Sequence, residues 1–187
     1  MNRLLPVLAC SVLAVSACFA QVTLNIGPNL HAGKIGLGLD GITGSPNLLM
    51  KYFFNNQLAG ELIVGAAIDS RGGDAPAGQT KVTGKTLRGG VGILYHLLQE
   101  QVSPYLGVEA LFENDKPAGF YTEEPDAKNT VTAALVLGGE YFMNERFSLG
   151  IKQSLGVEFG LKRDVPKENT DTKFSTSTLV TGRFYFN

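Results

Sequence analysis

From Phe147 to Lys162 apolar and polar positions alternate, with one exception at Gln153. Phe147, Leu149, Ile151, Leu155, Val157, Phe159 and Leu161 form one series. Ser148, Gly150, Lys152, Ser154, Gly156, Glu158, Gly160 and Lys162 form the other. Side chains alternate across a strand, so this stretch predicts a β-strand with one bulky apolar face and one small or charged face. At about 3.4 Å per residue it is longer than the roughly 9–11 residues that a tilted strand needs to cross a bilayer. Gln153 is the polar residue within the apolar series, and nothing in the sequence accounts for it.

The same period recurs along the chain and predicts eight strands: 31–40, 48–54, 58–69, 82–97, 102–113, 130–143, 147–162 and 173–186. Their connections alternate between long and short. Asn55-Asn56-Gln57, Gln99-Glu100-Gln101 and Asn144-Glu145-Arg146 read as tight turns. Segments 41–47, 70–80, 114–128 and 164–172 read as loops. Two hairpins share a local pattern: Tyr52-Phe53-Phe54-Asn55 before Leu58-Ala59 parallels Tyr141-Phe142-Met143-Asn144 before Phe147-Ser148.

Alternation fits a membrane barrel with the apolar face outward, and equally a soluble lipocalin-like barrel with that face inward. Three features favour the first. Gly36, Gly38, Gly65, Gly90, Gly92, Gly107, Gly138, Gly150, Gly156 and Gly160 lie on the charged face. An eight-stranded barrel leaves room inside only for side chains, so the small residues belong on its crowded side. Tyr52, Tyr95 and Tyr141 lie on the apolar face shortly before tight turns, with Phe54, Phe147, Phe184 and Phe186 at similar ends, as in an interfacial aromatic girdle. The order of short turns and long loops is that of a barrel with short turns facing the periplasm.

Residues 1–20, MNRLLPVLACSVLAVSACFA, read as a signal peptide: Arg3, an apolar core from Leu4 to Val15, and small residues ending at Ala20. Val15-Ser16-Ala17-Cys18 also resembles a lipobox, in which Cys18 would carry lipid. Cleavage after Ala20 removes Cys10 and Cys18, leaving residues 21–187 as one thiol-free barrel domain. It leaves 15 basic against 17 acidic residues, a balance that implies no nucleic-acid partner.

SPYLGVEALFEN at 103–114, GGEYFMNERFSLGI at 138–151 and the aromatic final strand, Gly182-Arg183-Phe184-Tyr185-Phe186, resemble the OmpA-type family of small outer-membrane β-barrels. The resemblance implies an all-β, eight-stranded antiparallel up-and-down transmembrane barrel in the cell outer membrane. It covers the barrel domain, and a periplasmic peptidoglycan-binding domain like that of OmpA is not expected. The final aromatic resembles the signal read by the barrel assembly machinery, although Asn187 follows Phe186 here.

On this register Lys34, Lys51, Glu61, Arg88, Glu109, Glu140, Lys152, Glu158 and Arg183 point inward. Both signs are present, as a salt-bridged network filling the barrel requires. The same charges would line a narrow pore. The expected function is a non-enzymatic structural or surface-interaction role, as a monomer contacting membrane lipid, with the outer loops free to hold an extracellular ligand. The alternatives are a narrow pore or transporter for ions or small hydrophobic molecules, resembling OmpW-type barrels, and a secreted lipocalin-like binder. An enzyme of the lipid A deacylase or palmitoyltransferase kind needs a base beside a hydroxyl. Only His31 and His96 are present, both near predicted periplasmic strand ends. No cofactor or metal site is expected. The acidic loop at Glu123, Glu124 and Asp126 reads as a solvated connector.

Overall fold

The computed structural model describes residues 31–41, 46–70, 75–122, 126–161 and 172–186. The predicted signal peptide, both cysteines, Glu123 and Glu124 lie outside them. The strands are β1 (Ile35–Asp40), β2 (Asn47–Phe53), β3 (Leu58–Asp69), β4 (Thr80–Val82), β5 (Gly84–His96), β6 (Val102–Lys116), β7 (Gly119–Tyr121), β8 (Lys128–Phe142), β9 (Phe147–Leu161) and β10 (Thr172–Phe186). Eight of them close an antiparallel barrel in the order β1-β10-β9-β8-β6-β5-β3-β2, while β4 and β7 pair with each other.

Two expectations about organisation are corrected. The first strand is shorter than 31–40: Gly33 takes a φ of 81° and the chain turns, with Lys34 N donating to His31 O at 3.0 Å. The segments 70–80 and 114–128 are not plain loops. β6 runs on to Lys116, β8 begins at Lys128, and Thr80–Val82 pairs with Gly119–Tyr121. The β-branched and aromatic residues of those triplets suit a ladder.

The recurrent hairpin pattern has one physical basis. Asn55 Oδ1 accepts from Gln57 N and Leu58 N at 2.8 and 2.7 Å, and Asn144 Oδ1 accepts from Arg146 N and Phe147 N at 2.8 Å each. Each Asn side chain ties down its own turn, which fixes the register of both hairpins.

Pairing sets the barrel's shape. Leu39 meets Gly182 on one side. On the other, the chain of partners runs Leu39, Leu48, Val64, Gly89, Phe112, Val131, Phe159, Thr172. A circuit therefore returns to β10 ten residues from Gly182, a shear of ten. Eight strands with that shear tilt by about 41° to the axis, and each residue climbs about 2.5 Å along it.

On this geometry the short-turn ends of all eight strands lie level within about 5 Å. The loop ends do not. β1 and β2 finish at Asp40 and Asn47, whereas β10 continues nine residues past its last partner on β1 and β3 four past its last partner on β2. The last β1–β2 pair, Asp40 with Asn47, lies roughly 13–18 Å below the loop ends of the other six strands.

The outer surface is apolar: Leu37, Leu62, Val91, Val108, Leu135, Leu149 and Ile151 are exposed, while Lys51, Glu61, Glu140, Lys152 and Arg183 are buried. Polar groups inside and bulky apolar groups outside invert the arrangement of a soluble barrel. Gln153 faces outward, half-buried, opposite Thr178 on β10.

The barrel interior as candidate functional site

The interior has three layers. At the short-turn end, Phe53 (β2), His96 (β5), Tyr105 (β6), Phe142 (β8) and Tyr185 (β10) converge with His31 from the turn before β1. All are buried. His31 stacks on Phe142 with ring centroids 4.4 Å apart and lies 5.0 Å from Phe53. Phe53 contacts His96 at 5.1 Å and Tyr185 at 6.0 Å, and His96 contacts Tyr105 at 5.2 Å. This layer closes that end with rings. Burial, with the Lys34 ammonium nearby, pushes the His31 pKa down to about 4, so its imidazole is neutral at pH 7.

Above it runs one continuous ionic chain. Lys51 Nζ donates to Glu140 Oε2 at 2.7 Å, and Arg183 Nη1 lies 3.5 Å from Glu140 Oε1. Arg183 Nη2 meets Glu61 Oε2 at 2.5 Å. Lys152 Nζ then joins Glu61 Oε1 at 2.8 Å to Glu109 Oε2 at 3.1 Å. Glu140 also accepts from Ser148 and from Tyr185, and Glu109 accepts from Ser154 Oγ at 2.7 Å. Lys51 Nζ sits 5.0 Å from the ring centroids of both Phe53 and Tyr105. Each of the six ions has an opposite partner, the condition under which charge is tolerated out of water.

The third layer is a cavity of about 300 Å³ toward the loop end, whose lining includes Asp40, Asn47, Ile63, Arg88, Glu113, Glu158 and Leu179. Its floor is the Lys152–Glu109 end of the ionic chain.

The inward-pointing set therefore divides. Lys51, Glu61, Glu109, Glu140, Lys152 and Arg183 lie together. Arg88 stands apart, half-exposed, paired with Glu113 at 2.5 Å. Glu158 lies on the cavity wall across from Lys173. Lys34 precedes β1, and its Nζ reaches Glu145 O at 3.5 Å at the rim. The corrected start of β1 explains this last placement. Sequence reasoning missed the aromatic layer. Its signal was the parity of Tyr52-Phe53-Phe54, Tyr141-Phe142-Met143 and Phe184-Tyr185-Phe186, whose middle members face inward. The outward members Tyr52, Tyr95, Tyr141, Phe184 and Phe186, with half-buried Phe147, lie on the outer wall near the short-turn end.

His96 and Ser103 form a base–hydroxyl pair that sequence spacing did not reveal, with Nδ1 2.7 Å from Oγ. The Ser103 hydroxyl gives its proton to Leu98 O at 2.6 Å. Its remaining role toward Nδ1 is acceptor, so Nδ1 carries the hydrogen and is not poised as a base. Both residues are fully buried.

Comparison with protein-family models and with curated proteins gives no match. Among solved structures, the N-terminal β-barrel domain of OprF from Pseudomonas aeruginosa is similar. It has a TM-score of 0.57 at 16% identity, over 83% of this chain and 98% of that one. The fold is that of the small OmpA-type eight-stranded barrels. Ail, the attachment invasion locus protein of Yersinia pestis, aligns with a TM-score of 0.38 at 18% identity, over 82% of this chain and 95% of that one. Within the OmpA-type fold, the polar chain and ring layer described above fill the lower interior of this barrel.

Proposed function

We propose that this chain is a non-enzymatic outer-membrane barrel with a structural or surface-interaction role. Its short turns face the periplasm and its loop end, including the β4–β7 extension, faces outward. The observation that carries this reading is the inversion of the barrel: a continuous bulky apolar exterior around an ion-paired interior, which is favourable where hydrocarbon replaces water outside. The outer aromatics Tyr52, Tyr95, Tyr141, Phe147, Phe184 and Phe186 then form the periplasmic girdle. Residues 1–20 would be removed during export. Contacts are with membrane lipid, with the assembly machinery during insertion, and with an extracellular ligand at the loops. The protomer works as a monomer.

A narrow pore is the second reading, because the inner charges resemble a gate. The ring layer weighs against it, since Phe53, His96, Tyr105 and Tyr185 fill the section below the ions. The test is single-channel recording of the refolded chain in a planar bilayer, with folding checked by heat-modifiable mobility on a gel. Silence from inserted protein is expected. Reproducible steps altered by Glu140→Gln or Arg183→Gln would establish the pore, and absence of any insertion would overturn the membrane reading.

A further inference from the structure

We propose that the outer wall at the loop end of the β5–β6 ladder binds a phosphorylated lipid of the outer leaflet, its phosphate held by Lys81, Lys85 and Lys116 and one acyl chain laid in a groove at Gly89. The inference rests on the membrane placement proposed above and names the lipid class that this face selects.

The register brings the cations together. Lys85 lies directly opposite Lys116, and both have outward parity. Like charges directly opposed across a ladder repel, so an anion held between them is stabilising. The pairing of Val82 with Gly119 keeps that register three residues further along each strand, with Pro117, which has no amide to donate, in the break between the two ladders. Lys81 and Thr83 thus fall on the same face as Lys85, and Thr80, Lys81, Thr83, Lys85 and Lys116 line one pocket of about 370 Å³. Its described lining holds three ammoniums, two hydroxyls and no carboxylate. Lys81 and Lys116 make other contacts as well. Each ammonium has three donors, so an ammonium already in one contact keeps donors for the several acceptor oxygens of a phosphoryl group.

Height puts this pocket at a headgroup level. Lys85 stands ten residues along β5 from the girdle residue Tyr95, about 25 Å up the axis, which is the height of the apolar band. Between the two, on the outer wall, Gly89 lies opposite Val64 on one side and Phe112 on the other, both exposed. A Cβ on Gly89 would meet no atom within 4 Å, so packing does not require a glycine there. Its missing side chain opens an apolar groove of about 380 Å³, whose lining includes Leu62, Val64, Gly89, Val91, Ala110 and Phe112. A glycine inside a strand often marks a place where another molecule approaches closely. Gly89 is four residues from Lys85, roughly 10 Å lower on the axis. A cationic pocket directly above an apolar groove suits one amphiphile, with its phosphate up and its hydrocarbon down.

The chain contains no Trp, so Phe112→Trp beside the groove and Phe174→Trp on the outer face of β10 report locally. Each is refolded into phosphatidylcholine vesicles, with folding checked by heat-modifiable mobility. With bromine on the acyl chains of all the phosphatidylcholine, quenching of both reporters is expected. An unquenched Phe174→Trp would overturn the membrane placement, whereas quenching of Phe174→Trp alone would put Phe112 outside the hydrocarbon and overturn the site. Bromine is then confined to a minor fraction of phosphatidic acid, a phosphomonoester lipid. Quenching of Phe112→Trp is expected to exceed that of Phe174→Trp by at least about fivefold, the factor that one lysine near a membrane surface contributes. Equal quenching of the two reporters would overturn the site.

Further variants of Phe112→Trp separate the parts of the site. Lys85→Gln combined with Lys116→Gln is expected to bring quenching by brominated phosphatidic acid down to that of the same fraction of brominated phosphatidylcholine. Gly89→Leu fills the groove from a position with open space at its Cβ, and is expected to lower the quenching at least about fourfold, the worth of one buried methylene. An unchanged response in either folded variant would overturn the proposal. Brominated phosphatidylserine, whose phosphate is a diester, is expected to quench less than phosphatidic acid, and equal quenching would overturn the phosphomonoester as the ligand class. A millimolar excess of inorganic phosphate is expected to leave the quenching unchanged. Its loss would overturn the lipid and assign the pocket to soluble phosphate.

Discussion

The ring of Tyr105 stands where a side chain on residue 138 would have to go. A Cβ on Gly138 would overlap Tyr105 Cζ and lie 2.5 Å from the hydroxyl oxygen and from the backbone oxygen of Ile151. Gly36 stands in the same relation to Tyr185, whose Cε1 would lie 2.5 Å from a Cβ there. Gly138 and Gly36 are thus the counterparts of two buried tyrosines. Gly138→Ala should destabilise the barrel by about 1–3 kcal/mol, as overpacking does. Adding Tyr105→Leu should restore part of the loss. Urea unfolding of vesicle-inserted protein, run as a double-mutant cycle, measures both.

Glu140 receives Lys51, Arg183, Ser148 and Tyr185 at once. Glu140→Gln leaves Lys51 buried without its direct counter-charge and should cost about 3–5 kcal/mol. Lys51→Met combined with Glu140→Leu should cost less than the sum of the single changes, because the pair leaves together. Equilibrium unfolding of the two single variants and the double variant checks the sign of the coupling.

His31 gives the short-turn end an acid sensitivity. Its folded pKa is about 4 against an ordinary 6.5, so the unfolded chain takes up the proton first as pH falls. The imidazole packing is fully effective above about pH 6.5 and loses stability progressively between there and about pH 4. His31→Phe keeps a ring against Phe142 and Phe53 without a titrating group. The stability difference between wild type and His31→Phe should be flat from pH 8 to 7 and move in favour of the variant below pH 6. Urea midpoints across that range show it, since shared carboxylate effects cancel in the difference.

The β4–β7 pair should open independently of the barrel. Val82 is its buried apolar anchor. Val82→Asp should speed amide exchange at Thr80–Val82 and Gly119–Tyr121 while leaving protection in β8 and β9 unchanged, as local unfolding of a small unit requires. Exchange read by mass spectrometry distinguishes this from a general loss of stability, which would raise exchange throughout.

Much of this architecture was legible because parity in a strand is strict. Once Leu149 and Ile151 face out, Lys152 has to face in, and the same logic placed Glu61, Glu109, Glu140 and Arg183 together. Parity does not say where a strand stops. Lys34 has inward parity, but the turn at Gly33 removes it from the sheet. Arg88 and Glu158 have inward parity too, but lie in the cavity rather than in the packed ionic chain, a matter of height along the axis. Thr80–Val82 and Gly119–Tyr121 are too short to show a period. The depth of the β1–β2 hairpin depends on register all the way round, which no single stretch of sequence carries. The His96–Ser103 contact is likewise a product of cross-strand geometry.

The seam between the first and last strands has a consequence for how the barrel is made. β1 meets β10 through six residue pairs, whereas β9 meets β10 through thirteen. It joins the two ends of the described chain and carries the largest loop-closure cost of any contact. The long strands β3, β5, β6, β8, β9 and β10 can curl into a nearly complete cylinder before it forms. Without the hairpin, two strand edges of the cylinder would carry unpaired backbone amides and carbonyls. The shortest hairpin is the keystone of this barrel, the piece whose removal reopens the ring.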